Sequence, residues 1–307
     1  MKKYKSDLSE ATLKWIINII NTNASIEEIF QLPGSTSSTL YSILLKYSGQ
    51  LQHCVLRMFS NTQWLTEEPD AALHEVDSLN YLQKNDLPVP KLIAFDKTGE
   101  ICGIPLILMT KLSGNVDLKP HDQTKWLDEL AKILVKIHKV RIDNFKWKYF
   151  KYMDITQFKL PTWSEYPNLW KQLIAIAKKP PPISKICFIH RDYHPANVLW
   201  QQNEVSGIVD WPSACLGPAG VDVGHCRVNL AQLFDVKTAD DFLTAYQKYA
   251  GNSFDYDPYW DIIALIDILF GTPKVYTGWV AFGITCLTDK LIQQRIDNYM
   301  MSLLEKL

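Results

Sequence analysis

Hydrophobic and polar positions change their rhythm near residue 114. Before it, two apolar, β-branched runs, 38–47 and 51–59, flank Ser48-Gly49-Gln50 and predict a hairpin. Asp7 with Glu10 and Ser25 with Glu28 stand at capping-box spacing ahead of apolar residues, so two helix starts are expected there. A helix is predicted over 69–84, with Pro69 in its first turn, and Leu87-Pro88-Val89-Pro90 stops it. Two further strands, 91–96 and 104–112, join through Lys97-Thr98-Gly99-Glu100. Beyond Gly114 a period of 3.6 takes over. Trp126, Leu127, Leu130, Ile133, Leu134 and Ile137 make one stripe over 123–139, and further helical stretches cover 163–177, 239–250, 259–270 and 275–307. One β-like interruption lies within 186–211. The pattern implies an α+β chain: an antiparallel sheet with one internal helix over 1–111, then a larger helical part over 112–307.

Composition narrows the function classes. The 307 residues are 47% hydrophobic and 21% charged, ordinary values for a folded chain and far from those of a disordered one. With 33 acidic against 32 basic residues the formal charge is −1, so no overall basic field points to nucleic acid. The six cysteines are scattered without a C-x-x-C pair, which suits free thiols in a reducing compartment. The basic start Met1-Lys2-Lys3 runs on through Asp7 and Glu10 rather than into a signal-like apolar stretch, and no run of about 18 apolar residues predicts a membrane span. A cytoplasmic protein is expected.

The chemistry concentrates in Phe188-Ile-His-Arg-Asp-Tyr-His-Pro-Ala-Asn-Val-Leu-Trp200 and the Val205-Ser-Gly-Ile-Val-Asp210-Trp211 that follows. The runs 198–200 and 205–209 read as a tight hairpin closed by a four-residue polar turn. Folding the chain back pairs Trp200 with about Val205 and Asn197 with about Ile208, which carries Asn197 and Asp210 to one end. An amide oxygen and a carboxylate there suit a hard divalent cation that also meets the phosphates of a nucleotide. Asp192, five residues before Asn197, is then placed to accept the proton of a substrate hydroxyl. That is the division of labour in phosphoryl transfer, where the protein supplies positioning, charge neutralisation and one base.

In the first third, Glu75 falls on the apolar face of its predicted helix with Leu79 and Leu82, a costly place for a carboxylate unless a cation meets it. Arg57, a lone charge within Cys54-Val-Leu-Arg57-Met58, is the cation on offer.

These motifs resemble the aminoglycoside phosphotransferase family, the small-molecule branch of the protein-kinase-like fold, with its H-x-D-x-x-x-x-N loop and Asp-Trp pair. The resemblance implies a bilobal α+β fold, with an antiparallel β-sheet N-terminal lobe holding one key helix and a larger, mainly α-helical C-terminal lobe. It implies Asp192 as catalytic base, Asn197 and Asp210 as magnesium ligands, and His190 as the residue orienting the loop. Gly217-Pro-Ala-Gly-Val-Asp222 is similar to the family's Gly-x-Pro-x-x-Asp stretch, which makes Asp222 a brace for the catalytic loop. Arg57 with Glu75 stands where the family usually has a lysine–glutamate pair on the nucleotide's phosphates. Arginine offers a planar fork instead of a point charge. Gly34, Ser35 and Thr36 resemble the phosphate-covering loop, and Met109, Thr110 and Leu112 the hinge that meets the purine. The implied cofactors are Mg2+ and ATP or GTP, and the implied partner is a small molecule bearing a hydroxyl group.

Two other readings of the residues remain. Arg57 in place of lysine and the glycine-poor loop would also suit a nucleotide-binding pseudokinase without turnover. His190-Arg-Asp192-Tyr-His194 spells an H-x-D-x-H segment that a metal-dependent hydrolase could use. For the acceptor, Asp154, Glu165, Asp255, Asp257, Asp261 and Asp267 are the carboxylates a cationic molecule would seek, and the aromatic residues around Trp163–Trp170 and Tyr256–Trp260 the rings a macrolide would seek.

Overall fold

The computed structural model describes residues 7–141 and 144–307. They form two compact units. One runs up to Gly114 and takes in Ser206–Ser213; the other comprises Asn115–Val205 and Ala214–Leu307.

The first unit is built on a five-stranded antiparallel sheet in the order β1 (Ser25–Gln31), β2 (Thr39–Tyr47), β3 (Gln50–Met58), β5 (Leu106–Thr110) and β4 (Leu92–Asp96). β2 and β3 turn through Ser48 and Gly49, at φ 50° and 76°, the backbone that matches a two-residue hairpin to the strand twist. Helix α1 (Glu10–Ile20) lays Leu13 and Ile16 into a cluster with Ile43, Leu45, Cys54 and Leu56. Its cap is Ser9 rather than Asp7: Thr12 N donates to Ser9 Oγ at 3.1 Å.

The segment from Ser25 is a strand, not the helix its spacing predicts. Ile26 and Ile29 stand three apart, as on a helix face. A bulge between Ile26 and Glu28 adds one residue against β2, and this brings both isoleucines to the buried face opposite Leu45 and Ile43. Helix α2 (Thr62–Glu67) buries none of its residues and so leaves no stripe to read. Helix α3 (Ala71–Leu82) begins two residues after Pro69. Leu56 and Arg57, adjacent on β3, point to opposite faces: Leu56 into the α1 cluster, Arg57 toward α3.

The second unit is mainly helical: α4 (Gln123–His138), α5 (Pro167–Ala177), α6 (Ala219–Leu233), α7 (Val236–Ala250), α8 (Pro258–Asp267), α9 (Thr277–Ala281) and α10 (Asp289–Leu304). The stretch 275–307, expected as one helix, is two, parted around Gly283 at φ 84°. α6 lies at the centre, burying twelve of its fifteen residues. A helix covered on every side carries no polar face, which is why periodicity does not reveal it. Gly220 and Gly224 seat it on α8: a Cβ on Gly224 would stand 2.7 Å from the carbonyl oxygen of Trp260. Arg227, wholly buried, ties α6 to its neighbours through Asp261, Asp240 (2.5 Å) and the Tyr256 hydroxyl (3.0 Å).

Two short sheets carry the functional loop. β7 (Ile186–Ile189) pairs antiparallel with β10 (Cys215–Pro218). β6 (Asn115–Val116) pairs with β8 (Val198–Gln201), and β9 (Glu204–Ile208) follows through Gln202 and Asn203, at φ 53° and 61°. The expected four-residue turn is therefore a two-residue one.

Candidate active site

Within the first unit the two charges hidden in apolar patterns meet. Arg57 and Glu75 are 3% and 1% exposed. Nη1 of Arg57 donates to both oxygens of Glu75, at 3.0 and 3.1 Å, and to Oδ1 of Asp210 at 2.6 Å. Burial pushes the Glu75 carboxyl up, against the pull of Arg57. Burial also opposes the charge of Arg57, yet Asp210 and Glu75 together raise its guanidinium above the ordinary value, so it stays protonated. Asp210 holds φ 70°, a left-handed backbone that aspartate tolerates better than most residues.

The loop after β1 adds Ser37, whose Oγ accepts from Nη2 of Arg57 at 3.5 Å. Ser35 instead closes the loop on itself, donating to Ser38 O at 2.6 Å, with Gly34 beside it at φ 92°. Ser37 is thus a member of this cluster that the sequence motif passes over. At the proposed hinge, Met109 is buried, and the Thr110 N–H is already committed to Lys91 O at 2.9 Å. Leu112 lies beyond the sheet and makes no backbone hydrogen bond among the described residues.

The second unit holds the residues expected for the catalytic loop. Asp222 is completely buried and accepts three bonds: His190 N at 2.8 Å, Arg191 N at 2.6 Å and the His138 ring at 3.0 Å. The His138 ring is fixed in turn by the Tyr246 hydroxyl at 2.7 Å. This brace keeps Arg191 at φ 69°, a strained backbone for arginine. The Arg191 guanidinium is locked over the rings of Phe150 and Tyr152, 4.2 and 3.7 Å from their centroids. His190, buried, accepts the Asp192 N–H on Nδ1 at 3.3 Å. Pro195–Asn197 then form a single 3₁₀ turn before β8.

The Asp192 carboxylate is gripped from two sides. Asn197 Nδ2 donates to its Oδ2 at 3.1 Å and to its carbonyl at 2.9 Å, and His225 Nε2 stands 3.0 Å from its Oδ1. Burial alone would raise this carboxyl. His194, His225 and His190 override it and hold the group well below the usual carboxylate range. His225 responds in kind: burial works against its charge, but Asp192 raises its pKa on balance. A carboxylate kept ionised and held by two donors can take a proton from a hydroxyl brought to it.

Each unit, taken by itself, offers donors of the kind a magnesium–nucleotide complex uses. With Nδ2 of Asn197 spent on Asp192, its Oδ1 has no hydrogen bond among the described residues and is a hard oxygen donor. Asp210 offers a second, anionic one. Nε of Arg57 is buried with no partner among the described residues, a donor that a phosphate oxygen would satisfy. Asn197 belongs to the second unit and Asp210 to the first. Among the described residues no group of three or more His, Cys, Asp or Glu side chains could hold a metal ion.

Several acids marked for an acceptor have other work. Asp261 is buried against Arg227, Tyr256 and Tyr299; Asp257 caps α8 on Tyr259 N; Asp154 closes a turn on Thr156. Trp170 is core, its indole donating to Asp297 at 2.9 Å. Asp267 differs: burial pushes its carboxyl up to about 6. Besides Ser37, the sequence gives no part to His225 and reads His138 as an ordinary helix histidine. Only the Asp222-x-x-His225 spacing, which places both on one face of a helix, could have signalled His225.

Comparison with known proteins places this geometry. No curated protein matches the chain. Among solved structures, a candidate aminoglycoside phosphotransferase from Ralstonia eutropha JMP134 matches with a TM-score of 0.65 at 16% identity, over 96% of this chain and 98% of the other. A thermostable mutant of aminoglycoside phosphotransferase APH(4)-Ia, in ternary complex with AMP-PNP and hygromycin B, matches with 0.61 at 15%, over 96% and 99%. The amicoumacin kinase hAmiN, in complex with AMP-PNP, Ca2+ and Ami, matches with 0.59 at 12%, over 91% and 88%. At such identities the common property is the kinase-like fold, an antiparallel sheet region followed by a helical one. The sequence itself matches the model of the phosphotransferase enzyme family (APH) over residues 43–260, more than two thirds of its length, and the chain belongs to that family of small-molecule kinases.

Proposed function

We propose that the protein transfers the γ-phosphoryl group of ATP or GTP to a hydroxyl of a small polar molecule. The observation that carries this reading is the Asp192 carboxylate, ionised and held between Asn197 and His225. In this reading Asp192 accepts the acceptor's hydroxyl proton as the oxygen turns toward phosphorus. Asn197 and Asp210 would hold magnesium, whose chemistry when bound is to neutralise charge on the phosphate oxygens. Arg57 meets the phosphates through Nε and Nη2, while Glu75 fixes its plane through Nη1. The loop with Gly34, Ser35 and Thr36 covers the phosphates, Ser37 reinforcing it from the Arg57 side. Met109 lines the base pocket, and main-chain atoms near Thr110 and Leu112 meet the purine. His190 and Asp222 keep the loop in shape.

The acceptor is a small molecule of the antibiotic or metabolite kind. One related structure carries hygromycin B and another carries Ami beside a nucleotide analogue, which sets the first compounds to try. The test is incubation with Mg-ATP or Mg-GTP and a panel of aminoglycosides, amicoumacin, macrolides and amino alcohols, read by mass spectrometry. One acceptor gaining a single phosphoryl group, with matching release of nucleoside diphosphate, is expected. Tight nucleotide binding with neither acceptor phosphorylation nor hydrolysis would indicate a pseudokinase instead.

A further inference from the structure

We propose that His225 is a positioning residue for phosphoryl transfer, fixing the plane of the Asp192 carboxylate from α6. This rests on the reading of Asp192 as the base and adds a residue to it. A carboxylate on a short side chain turns freely about two bonds unless both oxygens are held. Oδ2 has the Asn197 amide at 3.1 Å, a single neutral donor. Oδ1 has His225 Nε2 at 3.0 Å, with His194 farther off at 3.8 Å. Without His225 the Asn197 amide is the one side-chain donor within 3.5 Å of the carboxylate among the hydrogen bonds of the described residues, and the carboxylate is freer to swing about it.

The helix explains why this grip is firm. His225 follows Asp222 by three residues, so the two side chains leave α6 on the same face, one turn apart. Asp222 takes the backbone N–H groups of residues 190 and 191, and His225 takes the side chain of residue 192. A single helical turn thus sets both the course of the loop and the angle of its base. That turn is itself immobilised, because Gly224, between them, lies against the backbone of Trp260 with no room for a Cβ. The His194 ring stands edge-on to His225, 5.8 Å between centroids.

In the step this serves, a lone pair of the acceptor oxygen forms the new O–P bond, and the bond from the γ-phosphorus to the bridging oxygen breaks. The nucleoside diphosphate leaves with that electron pair, and the hydroxyl proton passes to Asp192. Each Asp192 oxygen retains a second lone pair for it after bonding His225 or Asn197. His225 touches neither substrate; it acts through Asp192.

The experiment uses Mg-ATP hydrolysis with water as the probe acceptor, so that no acceptor need be known. His225→Ala should lower kcat about 10- to 100-fold, the scale of a misplaced reacting group, with KM for ATP within about twofold and a native circular-dichroism spectrum. His225→Gln, whose amide N–H can reach the same oxygen, should recover kcat to within about fivefold. As a spectroscopic check, the His225 imidazole N–H signal in a ¹⁵N-histidine NMR spectrum should move on Asp192→Asn substitution. Wild-type kcat in His225→Ala, or Gln no better than Ala, or an unmoved imidazole signal would overturn the proposal. Asp192→Asn separates the two levels. Full hydrolysis in that variant breaks the reading of Asp192 itself, whereas its loss beside an unaffected His225→Ala breaks only the role given to His225.

Discussion

Replacing Arg57 by methionine removes the cation but keeps much of the side chain's length. Glu75 would then be a carboxylate 1% exposed, losing both bonds to Nη1, and Asp210 would lose its 2.6 Å contact. Breaking one partner out of a buried pair costs about 3–5 kcal/mol, because the other charge is left in the core or must take up a proton. For a chain of this size that corresponds to a fall in melting temperature of roughly 5–8 °C. Arg57→Lys should fall between the two, since one ammonium cannot reproduce a planar fork shared by two carboxylates. The decisive companion is Arg57→Met with Glu75→Leu, which deletes the stranded charge and fills its space, and should recover at least half of the loss. Urea denaturation of the natural protein, Arg57→Met, Glu75→Leu and the double variant measures the coupling directly. A loss below about 1 kcal/mol in Arg57→Met, or a double variant no more stable than the single, would refute the claim that these residues form one buried electrostatic unit.

Three further outcomes follow from the geometry. Gly224→Ala should destabilise by about 1–3 kcal/mol in the same denaturation assay, because its Cβ meets the Trp260 backbone at 2.7 Å; unchanged stability would mean that α6 can shift on α8. Asp267, raised to about 6 by burial, binds its proton more tightly folded than unfolded. Its contribution is therefore greatest at low pH and is lost as pH rises from about 4 to about 6, so the stability gained by Asp267→Asn should grow by about 1–3 kcal/mol across that window, and a flat difference would contradict it. Asp210→Ala should weaken Mg-ATP binding at least about tenfold by calorimetry, whereas an unchanged affinity would remove Asp210 from the metal site.

What the sequence discloses follows from how local each signal is. The β2–β3 hairpin is legible because its turn and both strands are contiguous, and the α4 stripe because one face is wet. Arg57 and Glu75 stand out as charges inside apolar patterns, and the structure brings them within 3.0 Å. The strand at Ser25 misleads because a bulge reproduces helical spacing, which only pairing with β2 reveals. α6 has no polar face to mark it. His138 and His225 each look like an ordinary helix histidine, and their parts depend on what the folded chain brings opposite them, Asp222 and Asp192. Asp261 has the opposite fate: an acid that composition offers to a ligand is consumed by Arg227, 34 residues away in sequence.

The account turns on Asp192 as the group that takes the hydroxyl proton. Single-turnover rates of γ-phosphoryl loss from Mg-ATP, compared between the natural protein and Asp192→Asn at equal nucleotide occupancy, test that directly. A fall of about 10²-fold or more with nucleotide affinity unchanged is the predicted result. Asp192→Asn turning over at close to the natural rate would contradict it.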